Sequence, residues 1–136
     1  MEAILRERLE RMQALVKEAE PLMPGAVKAF ADKLAAKVSE AGASPSDERI
    51  HQEIVLYAAR IDVDEELARL TAHFSEIRRI LDKGGAVGKR LDFLMQELNR
   101  EANTLGSKSV DAEVTAVSLD LKLLIEQMRE QIQNIE

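Results

Sequence analysis

Residues 91–109, LDFLMQELNREANTLGSKS, place apolar side chains every three or four positions, which is the spacing of one helical face. A strand would instead alternate polar and apolar residues at every second position. The polar side is also informative, because Asn99 and Asn103 are poor helix formers where Glu, Lys or Arg would suffice for solubility. The stretch therefore predicts a helix whose polar side has a role beyond folding.

The same spacing recurs in residues 63–81 and 114–135, and both stretches predict amphipathic helices. Asp62 is a predicted N-cap for the first of them. Gly84–Gly85 predicts the end of that helix, and Gly106 predicts the end of the helix after it. Shorter helices are predicted earlier in the chain, at 2–19, at 25–40 and from Ser46.

These segments together predict an all-α fold, an antiparallel bundle of about six helices with a long C-terminal helix that self-associates. No stretch shows the two-residue period of a strand. We expect a single domain over residues 1–136, with N-terminal helices in 1–45 and the remaining helices in 46–136.

Composition excludes several classes of protein. The chain has no Cys, so it has neither a disulfide nor a thiolate metal site, which is compatible with a reducing cytoplasm. No apolar run approaches the ~20 residues that cross a membrane. The net charge of −6 disfavours nucleic-acid binding by the molecule as a whole.

The charge is unevenly distributed, because residues 78–90 contain Asp82 as their one acid against five bases. This basic segment could hold phosphates, or it could simply place cations near a helix C-terminus, where the helix dipole favours them. The five bases are Arg78, Arg79, Lys83, Lys89 and Arg90.

A first group of chemically active side chains lies on one predicted strip of the helix at 63–81: Asp62, Glu66, Arg69 and His73. Glu66 and His73 are two turns apart, and a carboxylate with an imidazole can bind a divalent ion. His73 could also act as a general base near neutral pH. The alternative is an ordinary surface network of charges.

A second group lies on the helix at 91–109. Glu97 and Glu101, four residues apart, could chelate one cation, or they could form a solvated acidic turn with Arg90 neutralising Glu97. An amide-bearing rib on the same helix could recognise bases and ribose hydroxyls, or could pack against another helix. The rib consists of Asp92, Gln96, Asn99 and Asn103.

The run GKRLDFLMQELNREANTLGSKS, the Asp111–Ala112–Glu113 after it and the closing REQIQNIE closely resemble the C-terminal domain of the YicC family of bacterial endoribonucleases. The upstream run IDVDEELARL, with His73 after it, is similar as well. The resemblance is close over residues 48–136 and loose over 1–47. Family members are longer proteins with a further N-terminal domain, so this chain begins inside what would be their middle.

The resemblance implies a cytoplasmic, metal-dependent endoribonuclease that cuts single-stranded or structured RNA with Mn or Mg, with no membrane or DNA partner. We expect four residues to serve as metal ligands or acid–base groups: Glu66, His73, Glu97 and Glu101. Six others are expected to contact the RNA: Arg69, Arg90, Asn99, Arg100, Asn103 and Lys108.

Two alternatives without catalysis remain open. One is a helical scaffold that oligomerises or binds RNA and needs the N-terminal domain for chemistry. Phe93, predicted to project away from the core, and the wide apolar face of the last helix fit such a self-associating chain. The other is an adaptor that binds a protein partner through the amide rib.

Overall fold

The computed structural model of the chain describes residues 2–42, 48–109 and 112–134, and every regular element within these ranges is an α-helix. The predicted all-α fold is therefore confirmed. None of the helices in these ranges has the length and apolarity that a membrane crossing requires. The predicted helix start at Ser46 lies outside the described residues. The helices are α1 (Glu2–Ala19), α2 (Leu22–Glu40), α3 (Glu48–Ile61), α4 (Asp64–Lys83), α5 (Gly88–Lys108) and α6 (Ala112–Gln133).

Four of the helices, α1, α4, α5 and α6, form the core of the molecule. Each packs against two others in a closed ring, with α5 between α4 and α6, and α1 completing the ring. Arg6 near the start of α1 pairs with Asp82 near the end of α4 at 2.7 Å, so these two helices are antiparallel. The interior is aliphatic around the fully buried Phe74, as expected for an up-and-down bundle.

The other two helices, α2 and α3, form a hairpin beside this core. Their main mutual contact is a ring stack between Phe30 and Tyr57, with centroids 3.7 Å apart and ring planes inclined by 8°. Ile50 and Ile61 are buried, while Phe30 and Tyr57 are half-buried. The chain thus leaves the bundle after α1, forms the hairpin and returns to the bundle at α4.

The connection between α4 and α5 follows the prediction. Helix α4 ends at Lys83, and Gly84 and Gly85 take φ values of 71° and 89°, which side-chain-bearing residues rarely adopt. At the start of α4 the N-cap residue is Val63 rather than the predicted Asp62, and Asp62 Oδ1 accepts a 3.0 Å hydrogen bond from the backbone N–H of Asp64. The short turn at Gly84–Gly85 sets α4 and α5 side by side in opposite directions.

Gly106 does not end α5, contrary to the prediction, because the helix continues to Lys108. A Cβ atom at Gly106 would lie 2.7 Å from the Oγ atom of Ser118 on α6. That hydroxyl donates a 2.7 Å hydrogen bond to the Ala102 carbonyl oxygen, one turn earlier on α5. The glycine is therefore required by the close approach of α5 and α6 rather than by a helix end.

Candidate functional site

The polar side chains predicted to carry function gather where α4 and α5 meet. Because the two helices are antiparallel, residues three or four apart on α4 face residues three or four apart on α5 in reverse order. Ion pairs across the two helices fix this register at both ends and near the middle. We call this surface the α4–α5 strip; it comprises Glu66, Arg69, His73 and Glu76 on α4, and Arg90, Glu97, Glu101 and Lys108 on α5.

At one end of the strip, Glu66 is a buried carboxylate that is only 3% exposed. Its Oε1 atom accepts a hydrogen bond from Lys108 Nζ at 2.9 Å, and the same ammonium donates to the Asp62 carbonyl oxygen at 3.2 Å. The Oε2 atom of Glu66 is buried without a hydrogen-bond partner among the described residues. The hydrogen bond to Glu66 raises the pKa of the Lys108 ammonium, which stays charged over the whole physiological range.

One turn further along α4, the guanidinium of Arg69 contacts carboxylates on its own helix and on α5. Its Nη1 atom lies 3.6 Å from the Oε2 atom of Glu101, a carboxylate that is 4% exposed. Its Nη2 atom donates to Glu65 on its own helix. The guanidinium thus neutralises the second buried carboxylate of the strip and joins α4 to α5.

At the other end of the strip, Glu76 is held by two arginines. Arg79 donates to both of its carboxylate oxygens, at 2.6 and 3.0 Å, and Arg90 of α5 lies 3.6 Å away. The hydrogen bonds from Arg79, followed by the charges of Arg79 and Arg90, lower the pKa of Glu76. Arg90 therefore pairs with Glu76 and not with Glu97, which instead lies 3.8 Å from Arg100.

His73 lies between these two charged ends. It follows Arg69 by four residues and precedes Glu76 by three, so it belongs to the same face of α4. The register set by Arg69 and Glu101 places His73 opposite the α5 turn that carries Glu97. Both side chains are half-buried. The imidazole thus lies on the same face as the charged residues of the strip.

The four proposed metal ligands do not form one metal site in this arrangement. Glu66 pairs with Lys108, Glu101 pairs with Arg69, and these cations stand where a metal ion would have to be. Glu66 and His73 are separated by two helical turns, about 10 Å along the axis. Within the described ranges, no three Asp, Glu or His side chains are grouped so that they could hold a metal ion.

The amide-bearing rib of α5 divides into two halves with different surroundings. Gln96 Nε2 donates to Asp92 Oδ2 at 3.3 Å, and the other Asp92 oxygen lies 3.9 Å from Arg129 Nε on α6, so this half contributes to packing of α5 against α6. Asn99 is half-buried and Asn103 is exposed. Gln96 is exposed as well, so both halves of the rib present polar groups at the surface.

Sequence reasoning missed one part of this surface. An open groove of about 430 Å³ lies between α4 and α5 beside Glu76, lined by Ile80, Lys89, Arg90, Phe93 and Leu94. From the sequence, Phe93 is predicted to project away from the core and to fit a self-associating chain, with no indication of a groove beside it. The signal that could have revealed the groove is the spacing of Lys89 and Phe93, four residues apart and hence neighbours on the helix.

Comparison with known proteins adds an independent observation. Residues 16–136 match the family described as "Endoribonuclease YicC-like, C-terminal". The chain is 48% identical over 133 residues to "Probable endoribonuclease YicC" of Haemophilus influenzae, covering 98% of this chain and 46% of that protein. It is 36% identical over 132 residues to the protein of the same name from Clostridioides difficile, covering 95% of this chain and 45% of that protein. The chain thus spans about half the length of the curated relatives it matches.

Proposed function

Because the chain belongs to the YicC-like endoribonuclease family, we propose that it takes part in RNA cleavage and that the α4–α5 strip is where the RNA is bound and cut. The main support is that one continuous face brings a half-buried imidazole between two sets of cations. Cleavage of a phosphodiester bond uses these two kinds of group: a proton acceptor for the attacking oxygen, and positive charge to stabilise the phosphate in the transition state.

In the proposed reaction, His73 accepts a proton from the attacking oxygen, which is either the ribose 2′-hydroxyl or a water molecule. That oxygen forms a bond to phosphorus, the bond to the 5′ oxygen of the next nucleotide breaks, and the departing oxygen takes a proton from solvent. Arg69 and Lys108 lie on the strip, and Arg100 lies beside it on α5 next to Glu97; all three contribute positive charge toward the phosphate. Asn99 and Asn103 follow Glu97 by two and six residues, so they lie on the other flank of α5, and their predicted contacts with ribose or base edges would have to be made outside the strip.

The two histidines of the chain provide a matched test of this role. His73→Ala should lower the cleavage rate of a single-stranded RNA by roughly 10²- to 10⁴-fold, the usual contribution of a general base. His51→Ala, at an exposed position of α3, should leave the rate unchanged. Far-ultraviolet circular dichroism of both variants should match that of the unmodified chain. Equal cleavage by His73→Ala and the unmodified chain would remove His73 from the mechanism.

The requirement for Mn or Mg stays a prediction, because the candidate ligands are engaged in ion pairs. It is tested by measuring cleavage with each metal, without added metal and with a chelator. Loss of cleavage in the chelator would support a divalent ion that reorganises the Glu66 and Glu101 ion pairs on binding. Cleavage that persists in the chelator would show that no divalent metal is required, and it would leave the proposed role of His73 unaffected. A cytoplasmic location is likewise part of the proposal.

A helical scaffold is a second candidate function, and one observation favours it. Leu119 and Leu123 are four residues apart on α6 and are 61% and 59% exposed, so they form an apolar stripe on the outside of the bundle. A second copy of the chain could cover this stripe. Light scattering of the unmodified chain and of Leu119→Asp tests this function, since a scaffold should assemble and the variant should be monomeric.

A further inference from the structure

Phe93 is the one phenylalanine among the three whose ring faces solvent. Phe74 is fully buried in the core and Phe30 is stacked on Tyr57, whereas Phe93 is 59% exposed on α5. Its ring forms one wall of the α4–α5 groove next to the strip. Packing of the bundle does not require an aromatic residue there, so the face of the ring is available to a ligand.

The charges around the ring point to an anionic ligand. Lys89 precedes Phe93 by four residues and Arg90 precedes it by three, so both lie on its side of α5. Glu76 is the carboxylate among the groove-lining residues, and Arg79 and Arg90 already hold it. The groove therefore combines a flat apolar ring, positive charge and a volume of about 430 Å³, which falls in the range of small-ligand sites.

We propose that Phe93, Lys89 and Arg90 form a nucleotide subsite that binds one unpaired base of single-stranded RNA on the Phe93 ring, with its phosphate against the two cations. Proteins that bind single-stranded nucleic acid combine aromatic rings on which bases stack with cations that follow the backbone. Both parts are present here within one turn of α5.

A second copy of the chain fits this surface less well. In a symmetric dimer formed through this surface, the same residues of both copies meet at the interface. Lys89 and Arg90 of one copy would then approach those of the other, and like charges brought together oppose association. A polyanion with unpaired bases satisfies the ring and the cations together.

The subsite rests on the proposed function, because it adjoins the strip at which cleavage is proposed. Phe93 precedes Glu97 by four residues, about 6 Å along α5, and Glu76 of the groove follows His73 by one turn of α4. A strand whose base lies on Phe93 would thus have its neighbouring phosphates close to His73. The subsite would fix the position of the cut by holding a nucleotide beside it.

Tryptophan fluorescence tests the stacking directly, because the chain contains no Trp. Phe93→Trp introduces a single reporter, and titration with a short 2′-O-methyl oligouridylate, which cannot be cut through its 2′-hydroxyl, should quench its emission. Leu123→Trp is the matched control, since Leu123 has the same 59% exposure but lies on α6. Emission from this control should not change on titration.

Affinity measurements test the energetic contribution. Phe93→Ala should weaken binding of the same oligouridylate at least about fivefold, as expected for loss of one stacked base. It should have a smaller effect on duplex RNA, whose bases are already stacked on one another. Lys89→Ala should reduce the slope of log affinity against log salt by about 0.7, the value for one phosphate contact on a single strand.

The outcomes separate this subsite from the proposed function. If the unmodified chain binds and cuts RNA but Phe93→Ala binds equally well, the subsite is wrong and the proposed function stands. If the unmodified chain binds no RNA, both are wrong. If Phe93→Ala converts a dimer to a monomer with unchanged affinity per chain, the ring belongs to a self-association surface and the subsite is overturned.

Discussion

The ion pair of Glu66 and Lys108 contributes both to stability and to the candidate site. Glu66 is buried, and its charge is tolerated because one ammonium reaches it from the end of α5. A buried carboxylate left without a partner is strongly unfavourable, whereas the ammonium of Lys108 is partly in water and can be solvated alone. Removing Lys108 should therefore lower the free energy of unfolding more than removing Glu66.

Lys108→Met should lower the free energy of unfolding by about 1–3 kcal/mol, because it leaves the Glu66 carboxylate buried and unpaired. Adding Glu66→Gln to this variant should restore part of the loss, since a neutral amide is cheaper to bury. Urea unfolding measures both changes. Lys122→Met, at an exposed position of α6, serves as the control and should unfold like the unmodified chain. A Lys108→Met variant with unchanged stability would contradict the inferred pairing.

The residues of this site could be named from the sequence, but their partners could not. Glu66 and Lys108 are 42 residues apart, and several lysines of the chain could have faced Glu66. The helical period fixes which side of a helix a residue occupies, and it carries no information on how far one helix is shifted along the next. For this reason the sequence allows Arg90 to neutralise Glu97 as one alternative, whereas in the structure Arg90 pairs with Glu76.

At the scale of helices, the contact between α5 and α6 depends on a residue without a side chain. Gly106→Ala would place a Cβ atom 2.7 Å from Ser118 Oγ, and so should lower the free energy of unfolding by about 1–3 kcal/mol. Gly25→Ala in α2 is the matched control, because nothing lies within 4 Å of its added Cβ and alanine favours a helix.

The double variant Gly106→Ala with Ser118→Ala separates crowding from backbone effects. Removing the hydroxyl relieves the closest contact, so the double variant should be more stable than the sum of the two single changes predicts. If the changes in unfolding free energy of the two single variants simply add in urea unfolding, the effect of Gly106→Ala does not come from crowding against the Ser118 hydroxyl.

The pairing of Glu76 with Arg79 of its own helix and with Arg90 of α5 should make the free energy of unfolding depend on pH in acid. The hydrogen bonds from Arg79 lower the pKa of Glu76 in the folded chain below its usual value near 4.5. A lowered carboxyl pKa gives stability that is present above the usual value and is lost as pH falls through the folded value. Glu76→Gln should therefore flatten the decrease in unfolding free energy between about pH 5 and about pH 3.

Two further measurements check this pH dependence. Arg79→Ala should flatten the same pH profile, because it removes the main cause of the shift in the pKa of Glu76. Nuclear magnetic resonance titration of the Glu76 carboxyl should show its pKa rising in that variant. An unchanged titration would mean that Arg79 does not hold Glu76 in solution.

At the scale of the whole molecule, the six helices do not contribute equally. The four-helix core buries the aliphatic side chains, while α2 and α3 bury few residues fully and hold together through one aromatic stack. Regions with few buried apolar contacts open more readily than the core. The hairpin should therefore form a separate unit of local stability.

Phe30→Ala should speed amide hydrogen exchange throughout α2 and α3 and leave α1, α4, α5 and α6 protected, because the ring stack is confined to the hairpin. Mass spectrometry of exchanged peptides measures this difference. Tyr57 is the only tyrosine of the chain, so its emission reports independently on the same hairpin. Faster exchange in the core helices as well would show that the hairpin and the bundle unfold together.

The fold class and most helix positions could be predicted because apolar spacing and turn-forming glycines act locally. The division into a core and a lateral hairpin could not, because the apolar stripes of α2 and α3 have the same period as those of the core helices. Apart from the buried Ile50 and Ile61, the apolar side chains that the structure describes in these two helices are at most half-buried, including the stacked Phe30 and Tyr57. Only the arrangement of all six helices shows which stripes meet one another.

The closeness of α5 to α6 has a consequence on the opposite side of α5. With Ser118 seated against the Ala102–Gly106 turn, α5 is held at one angle about its own axis. That angle decides which way Glu97, Glu101 and Lys108 point. We expect a bulkier residue at position 106 to rotate the helix about its axis and so to move Glu101 and Lys108 away from Arg69 and Glu66 on α4. The orientation of the side of α5 that faces α4 is thus set by the absence of a Cβ atom at Gly106, on the side that faces α6.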